Sequence, residues 1–438
     1  MKQEFFERIQ SYIPNEYEAF LKCFENEMYK GLRVNTKKID MEEFKKNFPY
    51  VLEASPFCKE GFYINQNLGN HPYHFAGLYY LQEPSASSAV TILDVQEDDI
   101  VLDLCAAPGG KSTQIANALG RNGFLVSNEY DSKRAQILLS NMERLGVMNC
   151  LITNSNTTIL CKEFEECFDK VLVDAPCSGE GMIKKHDAAY DNWSIENIEL
   201  CAARQKDILK DAYKALRKDG ILVYSTCTYA KEENEDVIHW FLQEYPDMEI
   251  LDAQVEFGRA GLDLEQARRI FPMDQGEGHF ICKLRKNGGS SNSFKVKKSA
   301  KLDKYAASFI KEQIEADDYF YMLQNEKVYM MLQPFIDVKK VKVVRQGTLV
   351  GETIKTRFEP AHAFYLNRES TFTNKVDLDI EEMDLFLRGN QISKKSKKGF
   401  IAVCVDGHPF GYGKSDGNVI KNKIPKGLRL LQGVKILK

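Results

Sequence analysis

Two cysteines stand where a thiol could act as a nucleophile. Cys177 follows an apolar run and the residues Asp-Ala-Pro that begin at Asp174, and Cys227 follows a second apolar run and the residues Ser-Thr. A single cysteine is usually a buried structural residue. Two cysteines at corresponding ends of two predicted strands, one of them beside an Asp-x-Pro sequence, instead favour covalent catalysis by a thiolate. The Asp174 carboxyl group could bind the substrate in the same site.

A glycine-rich turn follows the first of the predicted strands and comprises Cys105, Ala106, Ala107, Pro108, Gly109, Gly110 and Lys111. Glycines let a ligand approach the backbone, and the helix that follows offers unpaired N–H groups. The turn matches neither G-x-G-x-x-G nor G-x-x-x-x-G-K-[ST], so it does not predict a phosphate site. Glu129 ends the next predicted strand about 20 residues on, where a doubly wound fold places the carboxylate that binds a ribose. The pattern therefore predicts a nucleoside cofactor without phosphates, and S-adenosylmethionine is the leading candidate.

A thiol beside the methyl sulfonium of this cofactor suits the methylation of cytosine at carbon 5. That carbon is a poor nucleophile, but a thiolate that adds to carbon 6 makes the ring enamine-like and able to attack the methyl group. A free thiol has a pKa of about 8.5, so the site must favour the thiolate. Asp174 could bind near N3 and the exocyclic amine. A second group must then take the carbon 5 proton or assist release of the thiol.

The elements that must position these residues alternate between short β-rich runs and helical patterns from about residue 98 onward. This alternation is typical of βαβ units and predicts an α/β fold with a Rossmann-like parallel sheet. Ligands of such sheets bind beyond the carboxyl ends of the strands, so the turn, Glu129, Asp174 and both cysteines should lie at one edge. The predicted strands are 100–104, 123–128, 150–153, 170–173 and 221–224, and the clearest predicted helices are 132–145 and 198–216.

The chain is predicted to contain four folded parts. Residues 1–95 form a small N-terminal region of short helices that binds RNA, and residues 96–285 form the Rossmann-like domain. Residues 286–297 include a Gly/Ser/Asn-rich stretch and are predicted to be a linker. An intermediate domain is expected at 298–375. Residues 376–438 alternate short strands with turns and predict an α+β or β-barrel-like module.

The charge of the chain is unevenly distributed. The 438 residues include 59 basic and 63 acidic ones, a net charge of −4. Residues 283–438 hold 30 basic and 17 acidic residues, whereas residues 1–282 hold 29 and 46. An acidic body with a basic end suggests a polyanion partner that docks at that end. A solvated lysine-rich surface is the alternative that charge alone leaves open.

Cysteine usage and hydropathy indicate the compartment. The 11 cysteines are odd in number, and no two have C-x-x-C spacing, so we expect neither a disulfide framework nor a metal site. The N-terminus lacks the apolar core of a signal peptide, and no apolar run approaches the roughly 18 residues of a membrane span. We expect a cytoplasmic protein without a membrane partner. No coiled-coil heptad suggests a dimer, so a monomer is expected.

The motifs resemble those of the Sun-type RNA cytosine-5 methyltransferases. The resemblance is carried by the turn at 105–111, Asp-Ala-Pro-Cys-Ser-Gly-Glu-Gly at 174–181, Ser-Thr-Cys-Thr at 225–228, Glu-Glu-Asn-Glu at 232–235 and Gly-Glu-Gly-His-Phe at 276–280. Segments 31–36 and 79–85 resemble the family's N-terminal part. Segments 357–363 and 422–429 are similar to the RsmF-type branch. That branch carries a PUA-like RNA-binding module and modifies small-subunit ribosomal RNA.

The resemblance implies roles for individual residues. Cys227 matches the family's nucleophile, and Cys177 matches the second cysteine, which assists product release. The turn, Glu129, Arg134 and Asp174 match cofactor-site positions, and Asp174 also lies beside the target base. Where the family often has an aspartate near the adenine, this chain has Asn156, which could accept the adenine amino group. The family's Arg-x-x-Pro-His element ends in methionine at 269–273, so no role is expected for a histidine there.

Three other interpretations compete with this one. DNA cytosine methyltransferases place the nucleophile in a Pro-Cys motif, which here would be Cys177, but the additional Thr-Cys at Cys227 favours the RNA family. The same chemistry on transfer RNA remains open, as does a ribosome-assembly factor that binds RNA without catalysis. Retention of both cysteines with Lys111 and Glu129 argues against lost catalysis. We therefore expect a methyltransferase of small-subunit ribosomal RNA with no DNA partner.

RNA contacts outside the site are predicted at the basic end. We call the group formed by Lys394, Lys395, Lys397 and Lys398 the lysine cluster. With the later cations up to Arg429 it could follow a phosphate backbone, which gives affinity and orientation with little sequence reading. Tyr79, Tyr80 and Trp193 are candidates for base stacking, although core packing is the better interpretation of each.

Overall fold

The computed structural model of the protein describes residues 3–184, 193–315 and 318–437. Its strands, numbered along the chain, are β1 (Gly31–Val34), β2 (Glu53–Ala54), β3 (Gly61–Tyr63), β4 (Tyr79–Gln82), β5 (Ile100–Asp103), β6 (Phe124–Asn128), β7 (Cys150–Thr153), β8 (Phe168–Asp174), β9 (Leu216–Thr226), β10 (Met248–Leu251), β11 (Arg259–Ala260), β12 (Arg268–Ile270), β13 (His279–Lys286), β14 (Phe320–Gln324), β15 (Lys327–Met331), β16 (Val343–Gln346), β17 (Thr348–Ile354), β18 (Arg357–Pro360), β19 (Lys375–Asp377), β20 (Ile392–Ser393), β21 (Gly399–Val405), β22 (His408–Ser415) and β23 (Val419–Asn422).

The α-helices of the described residues are α1 (Gln3–Tyr12), α2 (Tyr17–Phe24), α3 (Met41–Asn47), α4 (Pro72–Phe75), α5 (Ser88–Leu93), α6 (Gly110–Ala118), α7 (Ser132–Arg144), α8 (Thr157–Glu163), α9 (Ile195–Ala215), α10 (Glu235–Glu244), α11 (Lys304–Gln313), α12 (His362–Leu366) and α13 (Ile380–Leu387). None of them is long and apolar enough to cross a membrane.

The largest sheet confirms the predicted Rossmann-like core. Its five parallel strands lie in the order β9-β8-β5-β6-β7, and they match the predicted runs to within a few residues. The strands are buried on both faces, which is why they read as short apolar runs. Antiparallel strands extend the sheet beyond β9, where β13 pairs with β9, β10 and β12. The carboxyl ends of the parallel strands share one edge, and this edge carries the predicted site residues.

The N-terminal region differs from the prediction of short helices alone. It contains α1 to α5, but it also forms a four-stranded antiparallel sheet in the order β2-β3-β1-β4. Each of these strands has only two to four residues, too few for a clear alternating pattern. All four residues of β1 are buried, so this strand does not alternate at all.

The intermediate region is joined to the central sheet. Its own antiparallel sheet has the order β14-β15-β17-β18. β16 does not belong to this sheet and instead pairs with β7 at the edge of the central sheet. The predicted linker has no regular strand or helix over most of its length, and most of its residues are exposed, but it contacts the central domain at two places. Asn292 N–H donates to Glu166 O at 2.8 Å, and the Phe294 ring contacts the rings of Phe124, Phe164 and Phe168.

The C-terminal module packs against the N-terminal region. Its five strands have the order β19-β21-β22-β23-β20, and α13 covers the sheet together with N-terminal side chains in one apolar core. Tyr73 Oη donates to Asp406 Oδ2 at 2.8 Å, and Leu437 N–H donates to Asn70 O at 3.2 Å. The first and last parts of the chain therefore form one packed unit.

Candidate active site

The glycine turn leads from β5 into α6 at the carboxyl edge of the sheet. Gly109 has φ +113°, a conformation that favours glycine. A Cβ on Gly110 would lie 3.0 Å from Gln82 Oε1 and 3.2 Å from the Tyr80 ring, so the β4 segment closes over the turn. Asp103 ends β5 below it and accepts a hydrogen bond from Ser112 Oγ at 2.7 Å. Burial raises the pKa of Asp103 to about 7.

Glu129 lies directly after β6 and faces the turn. Its Oε1 accepts from Asp131 N–H at 2.9 Å, and its Oε2 accepts from Ala107 N–H at 3.3 Å. Arg134 on α7 lies 3.4 Å from Glu129 Oε2 and donates to Ala107 O at 2.7 Å. Arg134 therefore holds the turn and the carboxylate together.

A cleft of about 1250 Å³ opens along this edge. Residues of the turn, Glu129, Arg134, Asn156, Asp174, Cys177 and Cys227 all line it. The cleft is large enough for a nucleoside beside a nucleobase. The Glu129 carboxylate is 4% exposed and suits the hydroxyl groups of a ribose. The donor set thus fits S-adenosylmethionine. No three of the described His, Cys, Asp or Glu residues are arranged to hold a metal ion.

Asp174 and Lys111 form an ion pair in the cleft. Lys111 Nζ lies 2.7 Å from Asp174 Oδ2, and Ser225 Oγ donates to Asp174 Oδ1 at 2.8 Å. Burial works against the charge of Lys111, but the carboxylate outweighs it and raises the Lys111 pKa. The lysine therefore stays a cation. The parallel pairing of β8 with β9, which places Asp174 opposite Ser225, fixes this geometry.

The two cysteines meet just beyond these strands. Cys177 Sγ and Cys227 Sγ are 3.3 Å apart, and both side chains are partly exposed to the cleft. The hydrogen bond with Cys227, followed by burial, raises the pKa of Cys177 well above its usual range. Cys177 therefore keeps its proton and can donate it towards Cys227 Sγ.

A buried carboxyl group anchors the loop that carries Cys177. Glu233 accepts from Ser178 N–H at 3.0 Å and from Gln205 Nε2 at 2.7 Å, and it also accepts from Ser178 Oγ. On the other side, Gly181 N–H donates to Cys227 O at 3.0 Å. Hydrogen bonds of the neighbouring residues and of the Cys227 backbone thus fix the positions of the two cysteines, and the thiol groups themselves take no part in these bonds.

Asn156 is the predicted site residue with the least support. It lines the cleft, but its Oδ1 caps α8 by accepting Thr158 N–H at 2.8 Å. The neighbouring Thr157 and Thr158 hydroxyls both donate to Asp211 Oδ2 at 2.8 Å. Its contact with the adenine stays a prediction.

Tyr130 and His279 line the cleft but were not predicted as site residues. The Tyr130 side chain is 74% exposed although it is aromatic. Tyr130 follows Glu129 directly, a position that could have indicated it. Among the aromatic candidates, Tyr79 and Trp193 are buried and hydrogen bonded to Leu68 O and Glu180 Oε1, so they pack in the core. Tyr80 lies in the cleft wall.

Sequence comparison finds relatives along the whole chain. The "Ribosomal RNA small subunit methyltransferase F" of Psychromonas ingrahamii is 32% identical and covers 98% of this chain and 97% of its own length. The protein with the same description from Vibrio parahaemolyticus is 33% identical and covers 97% and 96%. The chain belongs to the RsmF family of 16S rRNA methyltransferases.

Family models place the RsmF features along the chain. The model of the 16S rRNA methyltransferase RsmB/F matches residues 90–285, which contain all the predicted site residues. Models of the RsmF N-terminal domain, first C-terminal domain and PUA domain match 1–84, 305–367 and 373–430. The predicted family, the enzyme class and the fold with its PUA module are confirmed, as is S-adenosylmethionine as the cofactor of this methyltransferase family.

Solved structures agree with the RsmF assignment. A methyltransferase homolog protein from Pyrococcus horikoshii is 31% identical, with a TM-score of 0.57 over 63% of this chain and 93% of that one. A second structure from the same organism, NSun6 with SFG, is 22% identical and has a TM-score of 0.60 over 66% and 98% of the two chains. The second likeness supports the fold alone.

Proposed function

We propose that the protein transfers the methyl group of S-adenosylmethionine to carbon 5 of a cytosine in small-subunit ribosomal RNA, with Cys227 as the nucleophile. The observation that carries this proposal is the pair of thiols 3.3 Å apart, beside the Lys111–Asp174 ion pair in the cleft that Glu129 borders. A thiol pair next to a base-binding carboxylate is what covalent activation of a cytosine needs.

The residues that hold the cofactor lie at one end of the cleft. Glu129 would bind the ribose hydroxyl groups, and the turn would give the cofactor access to the backbone. Arg134 holds the turn and the Glu129 carboxylate in their relative positions. Tyr130, whose exposed ring follows Glu129 and lines the cleft, would contact the adenine. The bound cofactor supplies an electrophilic methyl group at the end of the cleft that the cysteines occupy.

The residues that handle the base lie at the other end. Cys227 Sγ adds to carbon 6, and Asp174 with Lys111 holds the polar edge of the ring. After methylation the carbon 5 proton leaves, the carbon 5–carbon 6 double bond forms again, and the bond from carbon 6 to sulfur breaks. The Cys177 thiol donates its proton to the departing Cys227 Sγ, which makes that sulfur a better leaving group. The Cys177 thiolate that results takes the carbon 5 proton and becomes a thiol again.

Single cysteine variants test this division of roles. Cys227→Ala should abolish methyl transfer without forming any covalent complex. Cys177→Ala should instead leave a covalent protein–RNA adduct that denaturing gels resolve, because the adduct forms but is released poorly. Cys23→Ala is a matched control, since Cys23 lies on α2 and does not line the cleft. An adduct in Cys227→Ala and none in Cys177→Ala would reverse the assignment.

The finer points of partner and organisation belong to the same proposal. We infer that the protein acts as a monomer in the cytoplasm, on ribosomal RNA and not on DNA, and that the lysine cluster docks this RNA. The domain limits 1–95, 96–285, 298–375 and 376–438, with a linker at 286–297, are part of the proposal. The N-terminal sheet and the sheet formed by β14, β15, β17 and β18 lie within these limits, whereas β16 of the intermediate domain joins the central sheet. Bisulfite sequencing of ribosomal and transfer RNA from cells with and without the gene tests the substrate. Loss of a methylated site only in transfer RNA would contradict the ribosomal assignment.

A further inference from the structure

His279 reaches the same cleft as the nucleophile because of strand pairing. β13 runs antiparallel to β9 with Phe280 opposite Thr226 and Ile281 opposite Ser225. His279 is the first residue of β13, and Cys227 directly follows the last residue of β9, so both residues adjoin the Phe280–Thr226 pair. Both residues line the cleft, so a ligand that contacts the thiol has the imidazole within the same cavity.

A hydrogen-bond relay fixes which nitrogen of His279 carries the proton. Ser85 Oγ donates its only proton to Glu83 Oε2 at 2.7 Å. Towards His279 Nδ1, 3.0 Å away, this hydroxyl must then act as the acceptor. With Glu83 ionised, Nδ1 is therefore protonated, and the Nε2 atom carries a lone pair. Burial raises the pKa of Glu83 to about 7, so this tautomer belongs to the protein above that pH. Glu83 is itself held by the N–H groups of Ser85 and Ala86, at 2.8 Å and 3.0 Å.

The environment keeps His279 uncharged. Burial, reinforced by the nearby Lys111 cation, lowers the pKa of His279 to about 3. A neutral imidazole with a protonated Nδ1 offers Nε2 only as a hydrogen-bond acceptor.

His279 Nε2 is a second acceptor in the cleft beside Asp174. The oxygens of Asp174 accept from Ser225 and Lys111 and keep lone pairs for one hydrogen of a base amine, which leaves the other amine hydrogen for His279. Within residues 3–184, 193–315 and 318–437, His279 Nε2 has no donor, and its contact with the cleft leaves it accessible to a substrate. A ligand that contacts Cys227 can therefore donate a hydrogen bond from an N–H group to His279 Nε2.

We propose that His279 is a base-recognition residue, whose Nε2 accepts a hydrogen bond from the exocyclic amine of the target cytosine. The inference rests on the proposed function and adds a means of selecting the base. Uracil carries a carbonyl oxygen where cytosine carries the amine, so its lone pairs would face the lone pair of Nε2. A site built to accept from an N–H group rejects an analogue that lacks it. Ser85 acts as the positioning residue for this contact, because it sets the tautomer.

The test compares two RNA probes that differ only in the amine. Each carries a 5-fluoropyrimidine at the mapped target site, one as 5-fluorocytidine and the other as the corresponding pyrimidin-2-one nucleoside, which has no amine. Fluorine at carbon 5 blocks the elimination step, so the covalent adduct accumulates and its rate can be followed on denaturing gels. The proteins are the wild type, His279→Phe and His279→Asn. A shift in melting temperature with S-adenosylmethionine confirms that each variant is folded.

The variants are expected to form the adduct more slowly only when the probe carries the amine. His279→Phe should slow the adduct with 5-fluorocytidine by roughly 5- to 150-fold, the cost of leaving a buried amine hydrogen unpaired. Its rate with the pyrimidin-2-one probe should stay within about twofold of the wild type, because no amine is present to lose a partner. His279→Asn, which keeps an acceptor, should lie between. An equal slowing with both probes, or no slowing with either, would overturn the inference. Absence of an adduct in the wild type with both probes would instead refute the proposed function.

Discussion

The carboxyl group of Glu233 should make the stability of the active-site loop depend on pH. Glu233 is fully buried and accepts hydrogen bonds from Ser178 and Gln205, and so anchors the loop that carries Cys177. Burial raises its pKa from the 4.5 of an unperturbed glutamate to about 7. Since the folded protein binds this proton more tightly than the unfolded chain does, the free energy of unfolding is highest below pH 4.5 and falls as the pH rises through about 7.

The size of the effect follows from the two pKa values. A tenfold difference in proton binding corresponds to about 1.4 kcal/mol, so the full contribution of Glu233 is about 3 kcal/mol. Between about pH 5.5 and about pH 8.5 roughly 2 kcal/mol of it is lost, which corresponds to a fall of about 4–8 °C in the melting temperature of a domain of this size.

Glu233→Gln tests this reasoning because glutamine mimics the neutral acid. Its amide oxygen can accept from Ser178 N–H and Gln205, while its amide N–H₂ donates to Ser178 Oγ, which turns its own proton to Thr228 Oγ1 at 2.8 Å. When the melting temperature is measured from about pH 5.5 to about pH 8.5, Glu233→Gln should lack the fall of about 4–8 °C that Glu233 contributes in the wild type. Glu199→Gln, an exposed change on α9, is the control and should keep the wild-type slope. A slope in Glu233→Gln as steep as the wild type would refute the assignment of the titration to this carboxyl group.

Two further predictions concern the binding of the cofactor and the binding of the RNA. Tyr130→Ala should weaken S-adenosylmethionine binding by roughly tenfold, measured by calorimetry, since an aromatic face over the adenine is worth about 1 kcal/mol or more; unchanged affinity would remove the ring from the cofactor site. Changing the lysine cluster to glutamine should weaken RNA binding with S-adenosylmethionine affinity unchanged. The slope of log K against log salt concentration should become shallower by about 0.7–0.9 per lost phosphate contact. An unaltered salt slope would contradict docking by these lysines.

The parts of the fold that could be predicted share a physical reason. Buried parallel strands produce apolar runs, and a ligand-binding turn requires glycines, so both leave local signals in the sequence. The ends of β5, β6, β8 and β9 then had to meet, because parallel strands share an edge. The proximity of Glu129, Asp174 and the two cysteines could therefore be predicted from the sequence.

The features that could not be predicted depend on contacts distant in sequence. β16 completes the central sheet about 190 residues after β7, and nothing in the residues around Val343 indicates which strand they pair with. His279 was missed for the same reason. Its role follows from the register between β13 and β9 and from Ser85, which lies 194 residues earlier. A histidine that starts a strand has no local signal for either contact.

The packing between the ends of the chain determines how RNA docking should be studied. The C-terminal module shares an apolar core with the N-terminal region, and Arg33 of that region donates to Gly110 O at 2.9 Å and to Thr113 Oγ1 at 2.7 Å in α6. The basic end is thus connected through packed structure to the cofactor turn. Deleting residues 376–438 would expose that apolar core and disturb the site, so a loss of activity would not report on RNA binding. Substitutions in the lysine cluster avoid this problem, because Lys395, Lys397 and Lys398 are exposed and their removal leaves the core intact.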